Sequence, residues 1–163
     1  MAKGGKKGGG SGGSEGVSLR GNRKDNLLQG TEFDDTIRGG MGNDTLIGNG
    51  GNDFLFGEEG HDYIEGGAGS DRIFGGSGDN TLNGGADNDE IFGGTGDDII
   101  NGGAGNDTLL GGRGEDDING GGGADTHDTA EFTDIGGLIP LSSDPNVFTV
   151  DGITLTPTGE NSY

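Results

Sequence analysis

The chain has 163 residues, of which 43 are glycine and 26% are hydrophobic, and its formal net charge is −20. Such a chain cannot order itself around a hydrophobic core alone, because little apolar surface is available and glycine loses the most backbone entropy on folding. The lack of cysteine excludes disulfides and thiolate zinc sites, the acidic excess favours a cation over nucleic acid as partner, and no apolar run is long enough to span a membrane.

Residues 1–16 (MAKGGKKGGGSGGSEG) are dominated by glycine, serine and lysine and are predicted to form a flexible tail. Two G-x-S-x-G matches lie in it, around Ser11 and Ser14, but a nucleophile elbow requires a strand before the serine and a helix after it. The sequence has no H-E-x-x-H motif and no P-loop, so we expect no enzymatic activity. No apolar stretch follows the N-terminal lysines, and a standard secretory signal peptide is not predicted.

From Gly21 onward the chain is a strict nonapeptide array. Glycine stands at twelve positions spaced nine apart, from Gly21 to Gly120, so the array occupies residues 21–128. Position six of the repeat is always Asp or Asn, and position eight is Leu or Ile until His127. The unit is G-G-x-G-x-D-x-U-x, with U a large aliphatic, and residues 39–47 and 102–110 match it in full. This period predicts a solenoid over residues 17–128, in which VSLR (17–20) and the first repeat form an N-terminal cap.

Over about two thirds of its length, the sequence resembles the RTX (repeats-in-toxin) family of calcium-binding nonapeptide repeats. The resemblance implies an all-β fold, a right-handed parallel β-roll (β-solenoid) of about six 18-residue coils with Ca²⁺ bound in its turns. It also implies export by a one-step (type I) secretion system through an uncleaved C-terminal signal. The chain would stay unfolded in a calcium-poor cytosol and fold outside, either secreted or associated with the cell surface.

The spacing itself predicts how metal sites arise. The first six residues of a repeat are expected to turn, whereas x-U-x forms a short strand with U pointing inward. Two repeats complete one coil, so residues eighteen apart stack at about 4.8 Å. Facing position-six carboxylates would repel unless Ca²⁺ lies between them, with turn carbonyls completing the roughly 6–8 oxygen ligands that calcium takes. Oxygen ligands favour Ca²⁺ over Zn²⁺ or Cu²⁺, and lanthanides are an alternative occupant.

Ten position-six pairs can be drawn at the eighteen-residue spacing. Seven pairs contain two aspartates and predict about seven Ca²⁺ ions: 35/53, 44/62, 53/71, 71/89, 89/107, 98/116 and 107/125. The pairs that include Asn26 or Asn80 are expected to be weak or empty. Phe33 replaces a turn glycine and argues against a complete 35/53 site, whereas Asp87 replaces another but aspartate tolerates left-handed backbone.

The candidate metal ligands form two sets. The carboxylates are Asp35, Asp44, Asp53, Asp62, Asp71, Asp89, Asp98, Asp107, Asp116 and Asp125. The turn glycines, whose carbonyls can converge without a Cβ clash, are Gly40, Gly42, Gly51, Gly60, Gly67, Gly69, Gly94, Gly96, Gly103, Gly105, Gly112 and Gly114. No catalytic residue and no organic cofactor is predicted.

Odd and even repeats are expected to form opposite sheets with different outer faces. On the even sheet, position nine carries an apolar stripe, Phe56, Phe74, Phe92 and Leu110, whereas the odd sheet is mainly polar there. An exposed stripe usually marks a contact. Three occupants are considered: the chain's own C-terminal segment, a protein partner or second copy, and ice. The irregular threonines at position seven argue against ice.

The repeat fails after Asp125. His127 replaces the inward aliphatic and is expected to close the stack, since no second histidine or cysteine lies nearby to complete a metal site. Residues 129–163 are predicted to form a C-terminal capping segment that includes a secretion-signal region. Within it, VFTV-DG-ITLT (147–156) predicts a hairpin with Asp151-Gly152 as its turn.

The leading hypothesis is a non-enzymatic calcium-binding repeat protein that folds on binding several Ca²⁺ ions and acts as an exported structural or interaction module. Ordering a glycine-rich chain with few apolar side chains requires more than core burial, so the metal-free chain is expected to be unfolded. One alternative is a surface adhesin or extracellular-matrix subunit that assembles through the apolar stripe. The other is the calcium-dependent tail of a larger secreted enzyme.

Overall fold

The computed structural model describes residues 15–128 together with 148–150 and 153–155, and all regular elements in these residues are β-strands. In chain order they are β1 (Ser18–Arg20), β2 (Leu27–Gln29), β3 (Thr36–Met41), β4 (Thr45–Gly50), β5 (Phe54–Glu59), β6 (Tyr63–Ala68), β7 (Arg72–Ser77), β8 (Thr81–Ala86), β9 (Glu90–Thr95), β10 (Ile99–Ala104), β11 (Thr108–Arg113), β12 (Asp117–Gly122), β13 (Thr126–Asp128), β14 (Phe148–Val150) and β15 (Ile153–Leu155). The predicted N-terminal tail up to residue 14 and most of the predicted C-terminal segment lie outside the described residues.

The first thirteen strands form two parallel sheets. The odd-numbered strands pair in the order β1-β3-β5-β7-β9-β11-β13, and the even-numbered strands from β2 to β12 form a six-stranded sheet. Pairing joins residues eighteen apart, as in Leu55 with Ile73 and Ile64 with Leu82. The chain therefore winds as an all-β parallel solenoid of about six 18-residue coils, which confirms the fold predicted from the period.

The strands are longer than predicted, which corrects the assignment of the first six residues of each repeat to a turn. Strands β3 to β12 have six residues each and run from position seven of one repeat to position three of the next. The backbone ladder needs no side chains, so it continues past the glycines: Gly40 pairs with Glu58, and Met41 pairs with Glu59. The turn is therefore confined to positions four to six.

The core consists of the position-eight side chains. Nine of them are at most 1% exposed: Ile37, Leu46, Leu55, Ile64, Ile73, Leu82, Ile91, Ile100 and Leu109. Leu19, Leu28 and Ile118 are partly buried and pack against this cluster. The inward orientation predicted for position eight is confirmed. Leu19 pairs with Ile37, so the VSLR segment contributes the first strand of the larger sheet.

The C-terminal end of the solenoid is marked by β13, in which His127 pairs with Leu109. Beyond it, β14 and β15 pair antiparallel, with Phe148 opposite Leu155 and Val150 opposite Ile153, as expected for the two strands of the hairpin predicted over 147–156. The two residues between these strands and the segment 129–147 lie outside the described residues. In the part of the chain that the structure describes, no helix is long and apolar enough to cross a membrane.

Candidate metal centres

The turns of the solenoid stack along two edges. The odd edge carries the position-six residues of the odd repeats: Asn26, Asp44, Asp62, Asn80, Asp98 and Asp116. The even edge carries those of the even repeats: Asp35, Asp53, Asp71, Asp89, Asp107 and Asp125. Along each edge the neighbours are eighteen residues apart, as the spacing predicts. Most of these side chains are buried, whereas Asp116 and Asp125, near the C-terminal end, are half-buried.

From Asp35 onward, each position-six side chain accepts a backbone N–H of the neighbouring layer at Oδ1. The Asp44 N–H donates to Asp62 Oδ1 at 2.7 Å, and the Asp53 N–H donates to Asp71 Oδ1 at 2.8 Å. The same bond recurs along both edges, from the Asn26 N–H to the Asp107 N–H. Oδ1 is therefore committed to the ladder, which leaves Oδ2 as the oxygen that the pairing predicted at eighteen residues could use.

The second carboxylate oxygen, Oδ2, is buried and without a hydrogen-bond partner in seven aspartates: Asp44, Asp53, Asp62, Asp71, Asp89, Asp98 and Asp107. These seven side chains are at most 3% exposed. An ionised oxygen in such a place carries a desolvation cost that no hydrogen bond to that oxygen offsets. These oxygens are therefore suited to a cation.

Burial also raises the pKa of the same seven carboxyls, desolvation being the largest cause in each. The pKa of Asp71 and Asp89 rises to about 7. The pKa of Asp44, Asp53 and Asp98 rises to about 6. The backbone hydrogen bond to Oδ1 opposes the shift, and repulsion between neighbouring aspartates adds to it in most layers. A fully ionised row without counterions is thus electrostatically unfavourable.

Because the residue at position one is glycine, no side chain fills the space beside Oδ2. A Cβ added to Gly66 would clash with Asp71 Oδ2 and would lie 2.6 Å from the Gly84 carbonyl oxygen. The same arrangement is found at Gly93, beside Asp98. A carboxylate oxygen and a carbonyl oxygen of the next layer therefore border one small space. Both are hard donors, as Ca²⁺ prefers.

The twelve glycines predicted as carbonyl ligands all have φ between 100° and 147°. Seven lie in the turns at position four, whereas five lie at position two, inside strands rather than in turns: Gly40, Gly67, Gly94, Gly103 and Gly112. Glycine adopts this backbone readily and other residues rarely do. Asp87, which replaces glycine at position four, has φ of 73°, which confirms the prediction that aspartate is tolerated there. The backbone conformation thus explains the glycines at these positions.

Carboxylates alone do not make the site. Within residues 15–128, no three His, Cys, Asp or Glu side chains converge on one point. A metal ion in these turns would take most of its ligands from carbonyl oxygens. This donor set fits Ca²⁺, which takes about 6–8 oxygen ligands, and does not fit the tetrahedral nitrogen and sulfur sites typical of Zn²⁺.

Three position-six residues at the predicted weak layers differ from the seven. Asp35 Oδ2 accepts the Thr31 N–H at 2.5 Å, and Asn26 Oδ1 accepts the Asn22 N–H at 2.7 Å. Asn80 donates its side-chain Nδ2–H to the Gly78 carbonyl at 2.9 Å. These local bonds satisfy atoms that remain unpartnered in the other layers.

Position five forms a second ladder, which was not predicted from the sequence. The Asn43 side chain accepts the His61 N–H at 3.0 Å, and His61 Nδ1 accepts the Asp79 N–H at 2.8 Å. This ladder runs in the opposite direction to the position-six ladder and is exposed. The signal was present in the sequence, since position five carries Asp, Asn, His, Ser or Glu in every repeat except the last.

The apolar stripe lies on the outer face of the larger sheet. The ring centroids of Phe56 and Phe74 are 5.0 Å apart, those of Phe74 and Phe92 are 4.9 Å apart, and both pairs are stacked within 6°. The Arg38 guanidinium lies 4.0 Å from the Phe56 centroid. Because each ring covers the face of the next, the stripe is half-buried rather than fully exposed.

Larger apolar exposure occurs at position seven, which the sequence analysis did not single out. Leu27 is 72% exposed and Ile99 is 54% exposed, both on the smaller sheet. The prediction that the C-terminal segment covers the apolar stripe concerns residues 129–163, most of which lie outside the described residues.

A parallel solenoid with buried, unpartnered carboxylate oxygens along both turn edges defines a metal-binding repeat protein of hard-cation type. The chain belongs to the RTX family, because the family model of the RTX calcium-binding nonapeptide repeat matches residues 20–55, 56–91 and 92–126, about two thirds of the chain. The family assignment made from the nonapeptide pattern is confirmed. A comparison with curated proteins gives no match. The array is therefore a calcium-binding repeat module.

Proposed function

We propose that the protein is a non-enzymatic module that folds by binding several Ca²⁺ ions and then serves as an exported structural or interaction unit. The observation that carries this proposal is the set of seven buried Oδ2 atoms without a hydrogen-bond partner. In the unfolded chain water would solvate these carboxylates, whereas in the metal-free solenoid they are desolvated. Calcium supplies the positive charge that makes the folded rows favourable.

The proposed ligands are the position-six aspartates and the turn glycine carbonyls. Each ion would lie between layers related by eighteen residues. Counting pairs of aspartates gives five ions on the even edge, from 35/53 to 107/125, and two on the odd edge, 44/62 and 98/116. The Thr31 bond to Asp35 Oδ2 would weaken the first site of the even edge.

We also propose that the protein acts outside the cell. Secretion is typical of RTX proteins, and extracellular calcium is the condition under which a metal-coupled fold would form. The predicted secretion-signal region falls in residues 129–163, most of which lie outside the described residues.

Calcium titration into metal-free protein, followed by far-ultraviolet circular dichroism, tests the proposal. We expect a steep change from coil to β signal with Ca²⁺ and none with Mg²⁺, which keeps a near-octahedral shell and dehydrates reluctantly. Isothermal titration calorimetry should give about seven ions per chain. Full β signal in metal-free protein at neutral pH would contradict metal-coupled folding.

A second candidate is an adhesin or matrix subunit that assembles through the apolar stripe. The observation in its favour is the flat stack of three phenylalanine rings on the outer face of the larger sheet. Regular apolar ridges of this kind suit a partner surface with the same layer spacing. Sedimentation velocity in saturating calcium tests it, because assembly makes the sedimentation coefficient rise with protein concentration.

A further inference from the structure

Asn80 interrupts the odd edge, which is otherwise aspartate from Asp44 to Asp116. Its side chain is 1% exposed. It keeps both bonds of the ladder, since its Oδ1 accepts the Asp62 N–H at 3.0 Å and its own N–H donates to Asp98 Oδ1 at 2.8 Å. The layer is therefore as well formed as its neighbours, and only the second terminal atom of the side chain differs.

That second atom, Nδ2, stands where the aspartates place Oδ2. A Cβ on Gly75 would lie too close to Asn80 Nδ2, at 2.8 Å, just as the equivalent Cβ on Gly93 would clash with Asp98 Oδ2. Nδ2 donates to the Gly78 carbonyl at 2.9 Å. A cation in this layer would meet an N–H donor instead of an anionic oxygen, and one turn carbonyl would already be engaged.

We propose that the Asn80 amide takes the place of calcium in its layer and divides the odd edge into two separate calcium blocks, 44/62 and 98/116. This inference rests on the proposed function. On the even edge each aspartate from Asp53 to Asp107 belongs to two successive pairs, so its ions form one continuous row. On the odd edge the two blocks share no carboxylate.

The two residues next to Asn80 on the odd edge both carry an oxygen that a further calcium ion could use. Asp62 and Asp98 are 3% and 1% exposed, and each has an Oδ2 atom without a hydrogen-bond partner. A carboxylate at residue 80 would complete two further pairs, 62/80 and 80/98. It would also join the two blocks into one continuous row, as on the even edge.

The substitution Asn80→Asp tests the proposal in the full-length chain, with Asn88→Asp as the charge-matched control. Asn88 is exposed at position five, and its Oδ1 accepts the Asn106 N–H at 2.7 Å, a bond that aspartate preserves. Native mass spectrometry and calorimetry in saturating calcium count the bound ions. We expect Asn80→Asp to bind two more ions than the wild type, and Asn88→Asp to bind the same number.

Each outcome is decisive. If the wild type binds several ions and Asn80→Asp binds no more, the amide does not replace calcium and the proposal is wrong. A variant without β signal in saturating calcium also overturns it, because the layer then cannot hold a cation. If the wild type itself binds no calcium, the proposed function fails first, and the two failures are distinguishable.

Discussion

At the residue scale, one terminal atom separates a layer that is suited to a cation from one that is satisfied without it. Asp71 on the even edge and Asn80 on the odd edge occupy equivalent positions, are both 1% exposed, and each accepts a backbone N–H of the adjacent layer at Oδ1. Their side chains have nearly the same shape, so packing does not distinguish them. The difference is that Asp71 Oδ2 has no hydrogen-bond partner, whereas Asn80 Nδ2 donates to a turn carbonyl.

The reciprocal substitution, Asp71→Asn, should therefore remove calcium without removing the ladder. Because Asp71 belongs to the pairs 53/71 and 71/89, we expect a loss of two ions per chain and a higher calcium concentration at the folding midpoint. Calorimetry gives the stoichiometry, and circular dichroism gives the midpoint. Asp97→Asn is the matched control, since Asp97 is exposed and its Oδ1 bond to the Glu115 N–H at 2.9 Å can be kept. Unchanged stoichiometry in Asp71→Asn would refute pairing at eighteen residues.

At the element scale, the periodic features of the repeat were predictable and the strand lengths were not. Position eight recurs as Leu or Ile, and a recurring aliphatic every nine residues predicts the buried row that the structure contains. Glycine normally weakens strands, so positions one to three were assigned to turns. They extend the strands because the ladder is made by backbone atoms. Glycine stands at position one because a side chain there, as at Gly66, would collide with the carboxylate of Asp71.

The apolar stripe gives a prediction at this scale. In Phe74→Ser the central ring is lost, and with it two stacked ring pairs, each worth about 0.5–1.5 kcal/mol. We expect the free energy of unfolding in calcium to fall by about the sum of these two contributions. The number of calcium ions bound per chain should stay unchanged. Phe54→Ser is the control, because Phe54 lies on the same sheet outside the stack and is 41% exposed.

Sedimentation velocity on the same two variants separates stability from assembly. If the wild type associates through the stripe, its concentration-dependent sedimentation should disappear in Phe74→Ser and persist in Phe54→Ser. A Phe74→Ser chain that no longer folds in calcium would show that this ring belongs to the core and that the outward assignment is wrong.

At the scale of the whole molecule, the sequence was sufficient for the coil period, the two sheets, the buried row and the family. It was not sufficient for the atoms of the site. Three kinds of hydrogen bond depend on side-chain orientations that form only once the layers are stacked. They are the bonds from position-six N–H groups to the next layer, the bond from the Thr31 N–H to Asp35, and the bond that the Asn80 side chain donates to Gly78. Residue type predicts which layers contain oxygen donors, and only the folded stack shows which donors are already used.

The rows of buried aspartates also make the whole molecule respond to pH. Burial raises the pKa of Asp71 and Asp89 to about 7 and that of Asp44, Asp53 and Asp98 to about 6, against an ordinary value of 3.8 in the unfolded chain. Between about pH 4 and pH 7 the metal-free folded state therefore binds more protons than the unfolded state. The stability of the metal-free solenoid must fall as pH rises through that window, and is greatest at its acid end.

Protons and calcium compete for the same carboxylate oxygens. Lowering the pH should therefore stabilise the metal-free fold and weaken calcium binding. In metal-free protein we expect the β signal in circular dichroism to increase as pH is lowered from 7 to 4. In calcium-containing buffer, the apparent dissociation constant of calcium from the folded protein should rise over the same interval, because protonated carboxyls are poor ligands. Asp97→Asn, altered at an exposed position, should follow the wild type in both experiments. A metal-free β signal that instead grew with rising pH would show that desolvation of the aspartate rows does not control folding.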